Sequence, residues 1–89
     1  MTLPTQLVRE LKTRCHALKP VVRLGKHGIT DAVIKELDLA LAHHELLKIK
    51  ISGEDRTERK LVVGQLCERT NATCIQQTGN TAVLYRQSD

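Results

Sequence analysis

Apolar residues recur along this chain with two spacings, and the spacings divide it into helices and strands. From Leu3 to Ala17 they return every three or four positions, which predicts an amphipathic helix. Thr2 is a possible N-cap, and Pro4 is tolerated in the first turn. Pro20 ends the pattern, because the residue before a proline is pushed towards extended geometry. The apolar face of this helix comprises Leu3, Leu7, Val8, Leu11, Cys15 and Leu18.

Four strands and two further helices are predicted downstream. One helix starts near Thr30, an N-cap residue type, and its inner face comprises Val33, Ile34, Leu37, Ala40, Leu41 and His44. The other runs from a capping-box-like start at Asp55 and Glu58 to about Thr70, with Val62, Val63, Leu66 and Cys67 facing inward. The strands are expected at Pro20–Leu24, Leu46–Ser52, Thr73–Thr78 and Thr81–Arg86, the last two joined by a Gly79-Asn80 turn.

The resulting order is helix, strand, helix, strand, helix, strand, strand. Two strand–helix–strand passages favour a mixed sheet that is partly parallel, followed by an antiparallel hairpin. We therefore predict an α/β fold, α+β-like and two-layered, with a four-stranded mixed sheet. Residues 1–89 are expected to form a single domain, and the pattern does not fix the order of the strands.

A Gly-x-x-Gly segment, Gly25 to Gly28, joins the first predicted strand to the second helix. Two glycines three apart allow a tight turn and the close approach of another molecule, because neither carries a Cβ. The free amides of the following helix favour an anion, and Lys26 with Arg23 makes phosphate the natural one. His27 is a candidate hydrogen-bond partner of a phosphate or a 2′-hydroxyl. The alternative is an ordinary strand-to-helix turn in which glycines relieve strain.

The charge of the chain points to a polyanionic partner. Its 14 Lys and Arg outnumber 10 Asp and Glu, which gives a net charge of +4 and a pI near 9.2. One flank of the first helix carries an unneutralised basic stripe, Arg9, Lys12, His16 and Lys19. This stripe is either continuous with the glycine loop as one binding surface or merely a solvated face. Lys48 and Lys50 lie on a strand face that a helix could cover, and Arg86 is a candidate edge contact.

Several functional classes are disfavoured. With one Tyr and no Phe or Trp, a sheet that stacks bases on aromatic rings is not expected. Cys15, Cys67 and Cys74 form no CxxC pair, which indicates a reducing compartment, and Cys15 and Cys67 fall on apolar helix faces, where core positions are expected. Neighbouring His43 and His44 would point about 100° apart, which is poor for shared metal ligation. We instead expect His44 to pack at the helix end and His43 to face solvent.

No nucleotide-binding motif or nucleophile elbow is recognisable, so we predict a protein that is not an enzyme and has no cofactor. No membrane span or secretory segment is recognisable either.

The loops and their order resemble the CRM domain, the chloroplast RNA-splicing and ribosome-maturation module, in its stand-alone bacterial YhbY-like form. The matching segments are residues 18–22, 24–30, 43–50 and 83–86. The resemblance implies a fold like the C-terminal domain of translation initiation factor 3, binding to structured RNA, and association with precursors of the large ribosomal subunit. It also implies that Gly25 to Gly28 contacts RNA. The third helix matches only loosely, and no function is carried over to it.

We therefore predict a cytoplasmic, non-catalytic protein, monomeric when free, with no membrane association and no bound metal. It docks structured ribosomal RNA of the large-subunit precursor through Arg9, Lys12, His16, Lys19, Arg23, Gly25, Lys26, His27 and Gly28. The alternative is a basic protein-interaction module of an assembly complex, with incidental RNA binding. A small hydrolase using the histidines is a third possibility.

Overall fold

The structure is a computed structural model that describes residues 3–25, 28–52 and 55–87. These residues form the predicted elements in the predicted order: α1 (Thr5–Cys15), β1 (Pro20–Leu24), α2 (Asp31–His44), β2 (Leu46–Ile51), α3 (Arg56–Thr70), β3 (Thr73–Thr78) and β4 (Thr81–Tyr85). The predicted α/β class is confirmed. The proposed cap Thr2 lies outside the described residues, and Pro4 occupies the N-cap of α1. At its other end α1 tightens into i→i+3 hydrogen bonds, Ala17 to Arg14 and Leu18 to Cys15.

The sheet is mixed, with the strand order β1-β2-β4-β3. β1 and β2 are parallel, whereas β4 is antiparallel to both β2 and β3. Gly79 and Asn80 form the predicted turn between β3 and β4, and Gly79 has a φ of +56°. A positive φ at the first turn residue is the pattern of a hairpin turn that matches the twist of the strands.

Helices α2 and α3 cover one face of the sheet and form the larger core. Its buried members are Val22, Leu24, Leu37, Leu41, Leu47, Ile49, Ile51, Val63, Leu66, Ala82 and Leu84. Both helices start at the predicted caps. The Thr30 hydroxyl accepts from the Val33 amide at 3.1 Å, and the Asp55 carboxylate accepts from the Thr57 amide at 2.9 Å. Glu58 returns no hydrogen bond to Asp55 within the described residues, so the capping box is incomplete.

Among the described helices, α1 is the one that packs on the second face, chiefly over β3. A smaller cluster, Leu11, Cys15, Leu46, Ile75 and Val83, is buried there. The sheet therefore carries helices on both faces, because the apolar face of α1 covers strand positions that alternate with those of the larger core.

The second face is covered only in part. Val21 is 50% exposed, and Arg23 and Lys50 are also exposed on this side of β1 and β2. We refer to the surface of Val21, Arg23 and Lys50 as the open face. Within the described ranges, every helix is too short or too polar to cross a bilayer.

Candidate functional site

The two glycines of the glycine loop are joined by a hydrogen bond just after β1. The Gly28 amide donates to the Gly25 carbonyl at 3.1 Å, and Gly28 has a φ of +67°. Glycine is favoured at position 28 because side chains rarely adopt that conformation. Position 25 has no positive φ, and a Cβ there would meet nothing within 4 Å. The fold itself therefore gives no steric reason for glycine at position 25.

Lys26 and His27 lie outside the described residues, so their assignment to the site remains a prediction. The start of α2, which follows the loop, is described. Its first residue, Asp31, is fully exposed and pairs with Arg69 of α3 at 3.3 Å. The Asp31 carboxylate suits the positive end of the helix dipole but opposes the approach of a phosphate, and Arg69 offsets part of that repulsion. This pair had no signal in the sequence.

Ser52 fastens the loop to the sheet. Its main-chain amide donates to the Leu24 carbonyl at 3.2 Å, and its hydroxyl donates to the same oxygen at 2.7 Å. The hairpin turn is held at the same edge, because the Ile51 amide donates to the Asn80 carbonyl at 2.7 Å. The carboxyl ends of β1 and β2 thus meet the β3–β4 turn beside Gly25.

Two cations lie side by side at this edge. Arg23 and Lys50 are Cα partners in the parallel β1–β2 pair, and both are exposed on the open face. Neither forms an ion pair with a carboxylate of the described residues. Together with other residues they line an open groove of about 470 Å³. The described lining is Arg23, Leu24, Gly25, Lys50, Ile51, Ser52 and Asn80, and it contains no carboxylate.

The basic stripe of α1 lies on the same side of the sheet as the open face. Its members Arg9, Lys12, His16 and Lys19 are all exposed. Lys48, which is half-buried, is the Cα partner of Pro20 and lies on β2 between Leu46, which is buried in the cluster under α1, and Lys50 of the open face. Burial raises the pKa of the Cys15 thiol, and the charges of Lys48 and Lys12 act in the opposite direction. Lys48 therefore lies on the same strand face as Lys50, next to the part of the sheet that α1 covers.

Arg86, a candidate edge contact in the sequence, has a structural role in the fold. Its guanidinium donates to the Asp38 carboxylate at 2.6 Å, to the Asp38 carbonyl at 3.0 Å and to the Thr70 carbonyl at 2.9 Å. The side chain is only 26% exposed. Both Nη groups of Arg86 are engaged by Asp38 of α2 and Thr70 of α3, which leaves them less available to a ligand.

The histidine pair ends α2. Both rings are exposed, with centroids 5.4 Å apart and planes at 79°. The expected packing of His44 is wrong, because the apolar face of α2 ends in the core at Leu41 and the chain turns away at Glu45, which has a φ of +57°. The described parts of the chain hold no group of three or more His, Cys, Asp or Glu side chains arranged for a metal ion.

The cysteines pack against the two cores. Cys15 is buried in the smaller cluster, and Cys67 and Cys74 lie partly buried beside the larger one. Burial, with a smaller contribution from Cys74, raises the pKa of the Cys67 thiol to about 11. Burial also raises the pKa of Cys74. All three thiols therefore favour their protonated, weakly nucleophilic form.

Sequence reasoning did not identify Ser52 and Asn80 as part of the site, and it left Lys50 undecided. The alternation of Lys48 and Lys50 with apolar residues indicated a strand with one solvent-exposed face. The meeting of β1, β2 and the hairpin turn depends on strand order, for which the sequence carried no signal.

Comparisons with known proteins connect this geometry to a family. The family model of the CRS1 / YhbY (CRM) domain matches residues 3–86. A Haemophilus influenzae protein named "RNA-binding protein" is 42% identical over 88 residues, covering 99% of this chain and 89% of that protein. A Pseudomonas aeruginosa protein named as a probable RNA-binding protein is 33% identical, covering 99% and 85%. The solution structure of a Staphylococcus aureus protein, titled a putative RNA binding protein, matches with a TM-score of 0.85 at 30% identity, covering 99% and 92%.

Proposed function

Because this chain belongs to the CRS1 / YhbY (CRM) domain family, we propose that it is a non-catalytic protein that binds structured RNA through its glycine loop and adjoining basic surface. One observation carries the placement at the loop. Gly25 lacks a side chain that the fold has room for, and it stands next to Arg23, which pairs with no carboxylate of the described residues. Bare backbone beside an unpaired cation suits the close approach of a phosphate.

The proposed mechanism is docking of the phosphate backbone. Loop amides and the N-terminus of α2 hold one or two phosphates, while Arg23 and Lys26 provide charge-assisted hydrogen bonds. The exposed α1 stripe would extend this contact, since it lies on the same side of the sheet as Arg23. Few of these side chains could read base edges, so specificity would come from the shape of the RNA. Binding should therefore weaken steeply with added salt and favour folded RNA over DNA.

We extend the proposal to the cellular role. The resemblance to ribosome-maturation modules favours ribosomal RNA of the large-subunit precursor as the target. In that role the protein would act in the cytoplasm as a monomer and bind without a cofactor.

Fluorescence-anisotropy titration of a large-subunit ribosomal RNA fragment tests the proposal. Gly25→Asp places a carboxylate at the proposed phosphate contact, and nothing lies within 4 Å of the new Cβ. Gly64→Asp is the matched control, because Gly64 is exposed on α3 and equally open. We expect Gly25→Asp to weaken binding at least tenfold, which corresponds to about 1.4 kcal/mol. Gly64→Asp should stay within about twofold of the native protein.

Circular dichroism first confirms that both variants fold. Equal affinity of the two variants would make the glycine loop a purely structural turn. No measurable binding by the native protein would contradict RNA docking and favour the basic protein-interaction module instead.

A further inference from the structure

Arg23 and Lys50 are placed where like charges are unfavourable. They are direct Cα partners on neighbouring strands, and both side chains belong to the open face. Like charges directly opposite each other destabilise a sheet. No carboxylate of the described residues pairs with either side chain, and none lines the groove beside them. An anion bound between the two cations would remove this repulsion.

Asn80 adds a neutral hydrogen-bonding group to the same groove. Its main-chain carbonyl accepts from Ile51, which fixes the residue at the edge of the sheet. Its side-chain amide makes no hydrogen bond within the described residues, and the residue is exposed. An amide of this kind both donates and accepts, as a ribose 2′-hydroxyl does.

We propose that the groove binds a second ribose-phosphate unit of the RNA held at the glycine loop. The phosphate lies between Arg23 and Lys50, and the Asn80 amide binds the 2′-hydroxyl. The inference rests on the proposed function and deepens it, because the groove shares Gly25 with the loop. The RNA contact would extend from Gly25 across the carboxyl ends of β1 and β2 to the hairpin turn. A continuous RNA strand fits the groove better than a free anion does, since the groove is open and its polar groups include an amide suited to ribose.

Lys50→Gln tests the phosphate position, and Lys60→Gln is its control. Lys60 is exposed on α3, which covers the opposite face of the sheet, and its substitution removes the same charge. Both variants are titrated with the ribosomal RNA fragment at several salt concentrations. We expect Lys50→Gln to weaken binding at least fivefold. It should also reduce by about one the steepness of the salt slope, which is the slope of the logarithm of the binding constant against the logarithm of the salt concentration. Lys60→Gln should change affinity less than twofold and leave the slope unchanged.

Asn80→Ala tests the ribose contact by comparing the RNA with DNA of the same sequence. We expect RNA affinity to fall threefold or more and DNA affinity to stay constant, because DNA lacks the 2′-hydroxyl. Should Asn80→Ala fold poorly, Asn80→Ser keeps a turn-forming residue while removing the amide. An equal loss for RNA and DNA, or no loss for either, would overturn the ribose contact.

The outcomes separate the two proposals. If Gly25→Asp weakens binding while Lys50→Gln matches Lys60→Gln, no phosphate binds between Arg23 and Lys50, and the proposed function stands without the second contact. If the native protein binds no RNA, both fail. If Lys50→Gln weakens binding and reduces the salt slope, and Asn80→Ala lowers the affinity for RNA but not for DNA, the groove is the second contact.

Discussion

The Arg86 guanidinium holds Asp38 at two points. One nitrogen, Nη1, donates to the carboxylate at 2.6 Å, and the other, Nη2, donates to the Asp38 carbonyl at 3.0 Å. The same Nη1 donates to the Thr70 carbonyl at 2.9 Å, and the Arg86 main-chain amide donates to the Glu45 main-chain carbonyl at 2.9 Å. A single residue after β4 thus joins both helices of the larger core to the end of the sheet.

We expect Arg86→Ala to lower the free energy of unfolding by about 1–2 kcal/mol, measured by urea denaturation. Hydrogen bonds from a charged group contribute about 1.5–3 kcal/mol, and the partial exposure of Arg86 and Asp38 reduces that value. Arg86→Lys should recover only part of the loss, because an ammonium group cannot reproduce the planar fork that reaches Asp38 twice.

The Arg69–Asp31 pair provides the control. Its carboxylate is fully exposed and the two groups are 3.3 Å apart, so Arg69→Ala should leave the unfolding free energy unchanged within error. If Arg86→Ala lowers the free energy of unfolding no more than Arg69→Ala does, Arg86 has no special structural role.

Local signals predicted most of this fold, and Arg86 shows where they stop. The N-caps Thr30 and Asp55 and the Gly79-Asn80 turn depend on neighbours in sequence, so their patterns were readable. Arg86 acts on Asp38, 48 positions away, and nothing local distinguishes it from a surface cation. The candidate site divides in the same way. The Gly-x-x-Gly loop is local, whereas the juxtaposition of Arg23 with Lys50 and Asn80 requires the strand order β1-β2-β4-β3.

The two loop glycines should differ in their effect on stability. Gly28→Ala forces a side chain into a left-handed conformation, so we expect a loss of about 1–2 kcal/mol in urea denaturation. Gly25→Ala meets open space at an unstrained φ and should be neutral or stabilising by up to about 1 kcal/mol. The opposite ranking would contradict the turn geometry described for this loop.

Cys67 should react slowly with iodoacetamide in the folded protein. Burial holds its pKa at about 11, so little thiolate is present near pH 8. Because the folded pKa is raised, the contribution of Cys67 to stability is complete below the unfolded pKa of about 9 and is lost as pH rises towards 11. Alkylation followed by mass spectrometry from pH 7 to 11, with and without urea, checks this. Rapid modification of folded Cys67 at pH 7 would contradict it.

Gly64→Ala should stabilise the protein by about 0.5–1 kcal/mol. Gly64 lies inside α3, is exposed and has nothing within 4 Å of an added Cβ, so alanine gains helix propensity without a clash. Thermal denaturation should show a higher midpoint, while RNA affinity should not change. A loss of affinity would place α3 at the RNA interface, against both proposals.

Ser52 is expected to act as a positioning residue for the loop. Its hydroxyl donates to the Leu24 carbonyl at 2.7 Å, directly before Gly25, while its amide shares the same acceptor at 3.2 Å. Ser52→Ala should cost only about 0.5–1 kcal/mol of stability, because the amide bond to Leu24 remains. RNA affinity should nevertheless fall threefold or more, since the Leu24–Gly25 peptide is then held by one bond.

Ser52→Thr separates positioning from a general loss of stability, because it keeps the hydroxyl at an exposed position after β2. We expect this variant to restore RNA affinity to within about twofold of the native protein, measured where all variants are fully folded. If Ser52→Ala binds RNA as tightly as the native protein, the hydroxyl bond does not set the loop. If Ser52→Thr binds as weakly as Ser52→Ala, the effect comes from something other than the hydroxyl.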